Sequence, residues 1–217
     1  MAYGDIGDAV TGAEVTEAYL DQIRANFQAG VPDIFTTEGD IAIATGADAA
    51  ARLAVGAADS FLVAGAARPE WQIAPAARVY NDAAIDPATS TWVTLTFNQE
   101  RFDTDTVHST ASNTSRLTIP ANGNGLYLIG GNVSFDNGGG AGESQMGIRI
   151  LLNGATVIAQ YYAGDDNDVD TDRSITTLYS LSATDYVELQ VYTTGNVNVL
   201  ASGNYSPEFW AIWQRRQ

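Results

Sequence analysis

Apolar positions repeat in three different ways along the chain. Between residues 11 and 30, Val15, Tyr19, Ile23 and Phe27 recur at every fourth residue, and Leu20 widens the stripe. This is the spacing of an amphipathic helix. Thr11 and Glu14 fit a capping box, in which each side chain satisfies an orphan backbone N–H. Gly30 and Pro32 are placed to end the helix. A lone helix of this length is marginal in water. Its stripe is therefore expected to dock on a partner, and residues 1–30 read as an arm and attachment helix.

Residues 31–77 follow a different rule. The stretch GDIAIATGADAAARLAVG alternates Ile41, Ile43, Leu53 and Val55 with small or polar residues, and turn-like TGAD and GAAD break it into short pieces. Alternation predicts strands, yet most side chains are alanine or smaller. One copy buries too little apolar surface to offset backbone ordering, about 1–2 kcal/mol per residue. Short strands intertwined about a threefold axis would account for both features, giving a trimeric stalk. The competing reading is a flexible linker, since Gly-rich chains are usually coil. No Gly-X-Y period is present, which excludes collagen.

From residue 78 to 217 aromatic and β-branched residues rise and period-2 alternation takes over. Strands are expected near 78–81, 91–97, 100–109, 115–120, 125–136, 146–152, 156–163, 173–181, 185–193 and 207–214, which predicts an antiparallel sandwich. In GLYLIGGNVSFD, Tyr127, Ile129, Val133 and Phe135 share a face; in DYVELQVY, Val187, Leu189 and Val191 do. Asn153-Gly154 predicts a two-residue hairpin with positive φ angles. Two strands are apolar on both sides. Phe209, Ala211 and Trp213 oppose Trp210 and Ile212, and Leu126 and Leu128 back Tyr127 and Ile129. A two-layer antiparallel sandwich normally leaves one face wet. A neighbouring subunit is the economical cover, so Leu126, Leu128, Trp210 and Ile212 are assigned to a subunit interface. The fold class expected is mainly β: a C-terminal antiparallel jelly-roll sandwich, preceded by a small-residue β stalk and an N-terminal helix, in a homotrimer.

Composition narrows the function classes. Hydrophobic residues make up 45% of the 217 positions, enough for a real core, and no apolar run is long enough for a transmembrane helix. The first ten residues lack the basic and apolar segments of a secretory signal. Cysteine is absent, which rules out disulfides and thiolate metal sites. The net charge is −16, from 26 acidic and 10 basic residues, and every basic residue is Arg. Such a surface repels phosphate, so no nucleic-acid partner and no membrane insertion are expected.

The stretches TFNQERFDTDTVHS, SRLTIPANGNGLYLIGGNVSF, IRILLNGATVIAQ and LSATDYVELQVY, in that order over roughly residues 91–214, resemble the globular jelly roll of complement component one-q and tumour necrosis factor. That resemblance implies a homotrimer of compact sandwiches whose inner sheets line the threefold axis. One departure is Ala183-Thr184-Asp185, where the family usually has Gly before the Asp. A second resemblance lies in TTEGDIAIATGADAAARLAVGAADSFLVAG and PEWQ, with YLDQIRANFQAGVPD before them. These are similar to segments of bacteriophage fibre and appendage proteins. It implies attachment through the N-terminus and a head that faces outward.

Candidate chemistry is sparse. Asp166, Asp168, Asp170 and Asp172 alternate in GDDNDVDTD. Crowded carboxylates suit a hard cation such as calcium; the other reading is a solvated loop. An EF-hand is excluded, because the required Gly is missing. His108 is the only histidine. Neighbours on a strand alternate faces, so Asp105 and Ser109 would not converge on it, and a surface or interface role is expected. Glu100, Asp103 and Glu143 would be the carboxylates of a glycan-degrading enzyme. Tyr161, Tyr162, Tyr179, Tyr186 and Tyr192 read as core or interface aromatics rather than sugar platforms. The loop NGGGAGES lacks the Lys and helix of a phosphate cradle. The expectation is therefore a non-enzymatic, homotrimeric virion protein of a bacteriophage, on the virion surface. Its N-terminus would bind a capsid or tail protein, and its head a host-surface glycan or receptor. The alternative is a secreted trimeric adhesin or receptor ligand of the complement and tumour necrosis factor type.

Overall fold

The fourfold apolar repeat near the N-terminus becomes a helix, α1 (Glu17–Gly30). The computed structural model describes residues 17–30, 35–46, 49–65, 67–136, 144–165, 170–195 and 197–216. Thr11, Glu14 and Val15 lie outside them. The chain divides into two units, residues 1–72 and 73–217. Among the described residues no helix is long and apolar enough to cross a membrane.

In the first unit the small-residue alternation does produce strands. β1 (Ile41–Gly46) pairs antiparallel with β2 (Ala49–Leu53), setting Ile41 opposite Leu53 and Ile43 opposite Ala51. β3 (Ser60–Ala64) pairs with β4 (Pro69–Ile73). Both ladders join neighbouring segments of one chain. The side chains are so small that, among the described apolar residues of this unit, only Ile43 is buried, while Val55 and Leu62 stay exposed. Trp71 donates its indole N–H to the Ala54 carbonyl at 2.7 Å. Its ring lies where a Cβ on Gly56 would stand, 2.6 Å away, so that position requires glycine. Asp40 ties the first hairpin together. Its carboxylate accepts the backbone N–H groups of Thr36, Thr37 and Val55 and a guanidinium N–H of Arg52.

The second unit is a two-sheet sandwich. Its strands are β5 (Ala76–Tyr80), β6 (Trp92–Thr94), β7 (Gln99–Asp103), β8 (Arg116–Thr118), β9 (Gly125–Asp136), β10 (Ser144–Leu152), β11 (Thr156–Asp165), β12 (Thr171–Leu181), β13 (Tyr186–Thr193), β14 (Asn198–Val199) and β15 (Glu208–Arg215). Among the described residues one sheet runs β12-β9-β15-β5-β7, with β14 on β9. The other runs β11-β10-β13-β6, with β8 on β13. From β9 onward the chain crosses repeatedly between the sheets, and β15 returns to pair with β5. This is jelly-roll winding.

The alternating faces assigned from sequence fill the interior. Tyr127, Ile129, Val133 and Phe135 from one sheet meet Val187, Leu189 and Val191 from the other, all buried. Phe97 stacks on Phe209 with centroids 5.8 Å apart. Gly131 is bare because Leu189 of the facing sheet would lie 2.7 Å from any Cβ there.

Three strands come out at about half the expected length, and of 115–120 only Arg116–Thr118 forms a ladder. Only Trp92–Thr94 of the first forms a ladder, although Leu95 and Phe97 beyond it are fully buried and bonded to the Leu189 and Thr114 carbonyls. The next strand stops at Asp103, whose carboxylate accepts the N–H groups of Asp105, Val107 and His108 and folds the chain back. Side-chain bonds of this kind compete with a ladder. The Asn153-Gly154 hairpin has the expected angles, φ 52° and 68°.

Two outcomes follow. Asp40 has its pKa lowered to about 2, chiefly by the Thr36 N–H and also by Arg52. A carboxylate depressed on folding stabilises above its unfolded pKa and loses that contribution as pH falls through the folded one. The amide signals of Thr36, Thr37 and Val55 should therefore hold their native positions at pH 4 and shift together between about pH 3 and 2. Thr184, at the site where the resembled family has Gly, is left-handed with φ 73°. Thr184→Gly should raise stability by about 1 kcal/mol in urea unfolding, because a β-branched residue is strained there.

Candidate association face

Partners in an antiparallel ladder share a face, so register fixes what the outer side of the β12-β9-β15-β5-β7 sheet presents. Ile212 lies opposite Ala76 on one side and Leu128 on the other, and Leu128 lies opposite Leu178. Four strands thus contribute to one apolar row. The adjoining row runs Phe102, Arg78, Trp210, Gly130, Thr176. Leu178 is 57% exposed and Phe102 42% exposed. Trp210, Ile212 and Leu128 are half-buried by each other and by the strands beneath.

Trp210 lies flat across β9. A Cβ on Gly130 would sit 2.5 Å from its six-membered ring and 2.8 Å from the Ile175 carbonyl oxygen, so the indole settles only over a glycine. A shallow groove of about 270 Å³ opens beside it, lined by Arg78, Phe102, Asn132, Trp210 and Ile212. Leu126 shares the face but sits at its far end, opposite Ser180 and Arg215. Three of the four expected interface residues therefore cluster. The structure adds Leu178, Phe102 and Ala76, which the sequence did not single out.

One edge of this face is closed by charge. Glu208 has a fully buried side chain. Its carboxylate accepts the Arg78 Nε–H at 2.6 Å and the Arg101 Nε–H and Nη–H at 3.0 and 2.9 Å. The two guanidinium groups also donate to the Asn204 and Gly203 carbonyls. Arg101 further stacks on Tyr80 at 3.7 Å. One acid thus fastens β15, β5, β7 and the loop before β15.

Other expectations fare differently. In α1, Leu20 is 52% exposed and Ile23 half-buried; the side chains of Tyr19 and Phe27 are outside the description. Asp166 and Asp168 also fall outside the described residues. Asp170 and Asp172 are exposed, and among the described residues no three acidic or histidine side chains gather around a cation-sized space. His108 is not a surface or interface residue: its ring is fully buried, with Nδ1 2.9 Å from Glu100 Oε1 and Nε2 3.2 Å from the Thr114 carbonyl. The turn at Asp103 removes the strand alternation on which the surface reading relied. Glu100 is engaged by that ring and Asp103 by three backbone N–H groups; Glu143 is outside the described residues. Tyr179 packs against the core. Tyr161, Tyr162, Tyr186 and Tyr192 lie on the opposite sheet, not on the association face.

No protein-family model matches the chain, and no curated protein matches it in sequence. Solved structures do. The globular domain of zebrafish complement 1qA protein aligns with 14% identity and a TM-score of 0.44, covering 66% of this chain and 99% of that one. Murine APRIL, of the tumour necrosis factor family, aligns with 8% identity and a TM-score of 0.48, covering 65% of this chain and 99% of that one.

Removing one partner of a buried ion cluster costs about 3–5 kcal/mol, because the remaining charges lose their counter-ion. Arg78 and Arg101 are partly exposed and can turn to water. Glu208→Ala should therefore lower unfolding stability by about 3 kcal/mol, the low end of that range, in urea titration. Arg101→Ala should cost less.

Proposed function

We propose that the protein is a non-enzymatic binding module that works as a homotrimer, with residues 73–217 as its head. The observation that carries this is the continuous outward apolar surface of Ile212, Leu128, Leu178, Trp210 and Phe102. Contiguous apolar patches of this kind on soluble proteins mark interaction sites, and aromatic residues are enriched at such interfaces. The sheet is already covered on its inner side by the other sheet, so the outer side is served by other copies of the chain. Jelly-roll winding with this strand order supports a threefold arrangement, as the resemblance to complement component one-q and tumour necrosis factor implies. A trimer presents three identical heads, and weak contacts made by each multiply into avidity.

This is the trimeric adhesin or receptor-ligand reading. The virion reading rested on residues 1–77 in combination with a jelly-roll head, and the association face described above does not depend on it. An enzymatic role has little support: Glu100, Asp103 and His108 are committed to one another and to the backbone.

Mass measurement at micromolar concentration should give three copies of the 23.0 kDa chain. Trp210→Asp and Leu178→Asp should each shift the protein to single copies while far-ultraviolet circular dichroism keeps its β signature. Leu178 is exposed in the single chain, so its variant should fold normally. Single copies in the unaltered protein, or trimers in both variants, would overturn the assignment.

A further inference from the structure

The outer side of the other sheet carries a second patch of different chemistry. Trp92 lies opposite Tyr192, Tyr192 opposite Gly147, and Gly147 opposite Tyr162. Three aromatic rings from β6, β13 and β11 thus meet over one glycine. Their centroids are 5.5 Å apart for Trp92 and Tyr192, 5.4 Å for Tyr162 and Tyr192, and 6.4 Å for Trp92 and Tyr162. A Cβ at Gly147 would fall 2.7 Å from Trp92 and 2.8 Å from Tyr162, so only glycine lets the rings close over the strand. Tyr162 is nonetheless 43% exposed, and its hydroxyl donates to Gln145 Oε1.

The next row holds Thr94, Gln190, Arg149 and Gln160. The Arg149 guanidinium lies 4.2 Å from the Trp92 ring centre. Its Nε–H donates to Gln190 Oε1 at 2.8 Å, and Gln190 Nε2 donates to Thr94 Oγ1 at 2.8 Å. The orientation of Arg149 is therefore fixed by neutral groups alone. Arg24, Arg52, Arg78, Arg101 and Arg116 each stand within 4.0 Å of a carboxylate. Arg149 has no such ion pair among the described residues, in a chain whose net charge is −16. Burial already lowers its pKa, so the guanidinium is held where its charge is partly desolvated. A fixed cation on an aromatic platform, ringed by amides and hydroxyls, is complementary to a carboxylate attached to a sugar ring. The C–H face of a pyranose stacks on aromatic rings, its hydroxyls bond amides, and guanidinium matches carboxylate in a two-pronged hydrogen bond.

We propose that this patch binds an acidic sugar, its ring on Tyr162 beside Trp92 and its carboxylate on Arg149. This gives the binding head a ligand class. It stands on the opposite sheet from the association face, so the two readings fail separately. Sialic acids and uronic acids share the required chemistry.

The test is calorimetric titration of the full chain with sialyllactose, with a glucuronate-containing disaccharide, and with neutral lactose, beside mass measurement of each protein. The expected result is saturable binding of at least one acidic sugar, about tenfold tighter than lactose, the worth of one charge-assisted contact. Arg149→Gln should abolish the preference for the acid. Tyr162→Ala should weaken the acidic sugar about tenfold. Neither variant should change the number of copies. Tyr162 is exposed, so its variant tests the site without endangering the fold. Equal binding of lactose, no saturation by either acidic sugar, or unaltered affinity in both variants would overturn the proposal. So would binding of a glutamate-rich peptide in place of the sugars. A single-copy protein that still prefers the acid would leave this inference standing and remove the trimer; a trimer without preference would do the reverse.

Discussion

Strand β15 has apolar side chains on both sides, and one chain supplies cover for only one of them. Phe209, Ala211 and Trp213 reach the sandwich interior and are buried there. Trp210 and Ile212 turn the other way, and the strands flanking them add Leu128, Ala76 and Leu178 in register. A half-wet antiparallel sheet would carry polar residues at those positions. The Glu208 clamp shows how the fold handles polarity on this side. The acid is not left to solvent but is locked between two arginines, which loop carbonyls hold in turn, and this pins the end of the face.

The two outer surfaces of the sandwich therefore differ in kind. One is mainly apolar, with Leu178, Ile212, Leu128 and Phe102 around an indole pressed onto Gly130. The other is aromatic, with amides and a guanidinium set among three rings over Gly147. In both, a glycine on one strand lets a large ring from a neighbouring strand lie against the backbone. The same device shapes both surfaces, and the roles proposed for them differ because the residues around the ring differ.

Much of the sandwich was legible in the sequence because its information is local. Period-2 alternation in GLYLIGGNVSFD and DYVELQVY assigned the buried face correctly, and Asn153-Gly154 marked its hairpin. The two-sided character of Trp210 and Ile212 could likewise be read from six consecutive residues. What escaped was carried by register between distant segments. Arg78 and Arg101 lie 130 and 107 positions from Glu208. Leu178 is one apolar residue on an otherwise polar side of β12, and its meaning appears only beside Leu128 and Ile212. Trp92, Tyr162 and Tyr192 come from three strands, so the tyrosines were grouped with core and interface. His108 was misplaced for a local reason: the turn at Asp103 replaced the strand that the alternation argument assumed.

The position of β15 within its sheet has a consequence for biosynthesis. It lies between β9 and β5 and is the last strand of the sandwich to leave the ribosome. Until it arrives, the two halves of the sheet have no ladder between them, and Phe97 lacks its stacking partner Phe209. A nascent chain cut short before this segment presents two unjoined edges and cannot be mistaken for a finished copy. Closure of this sheet is a step that no product truncated before β15 can complete.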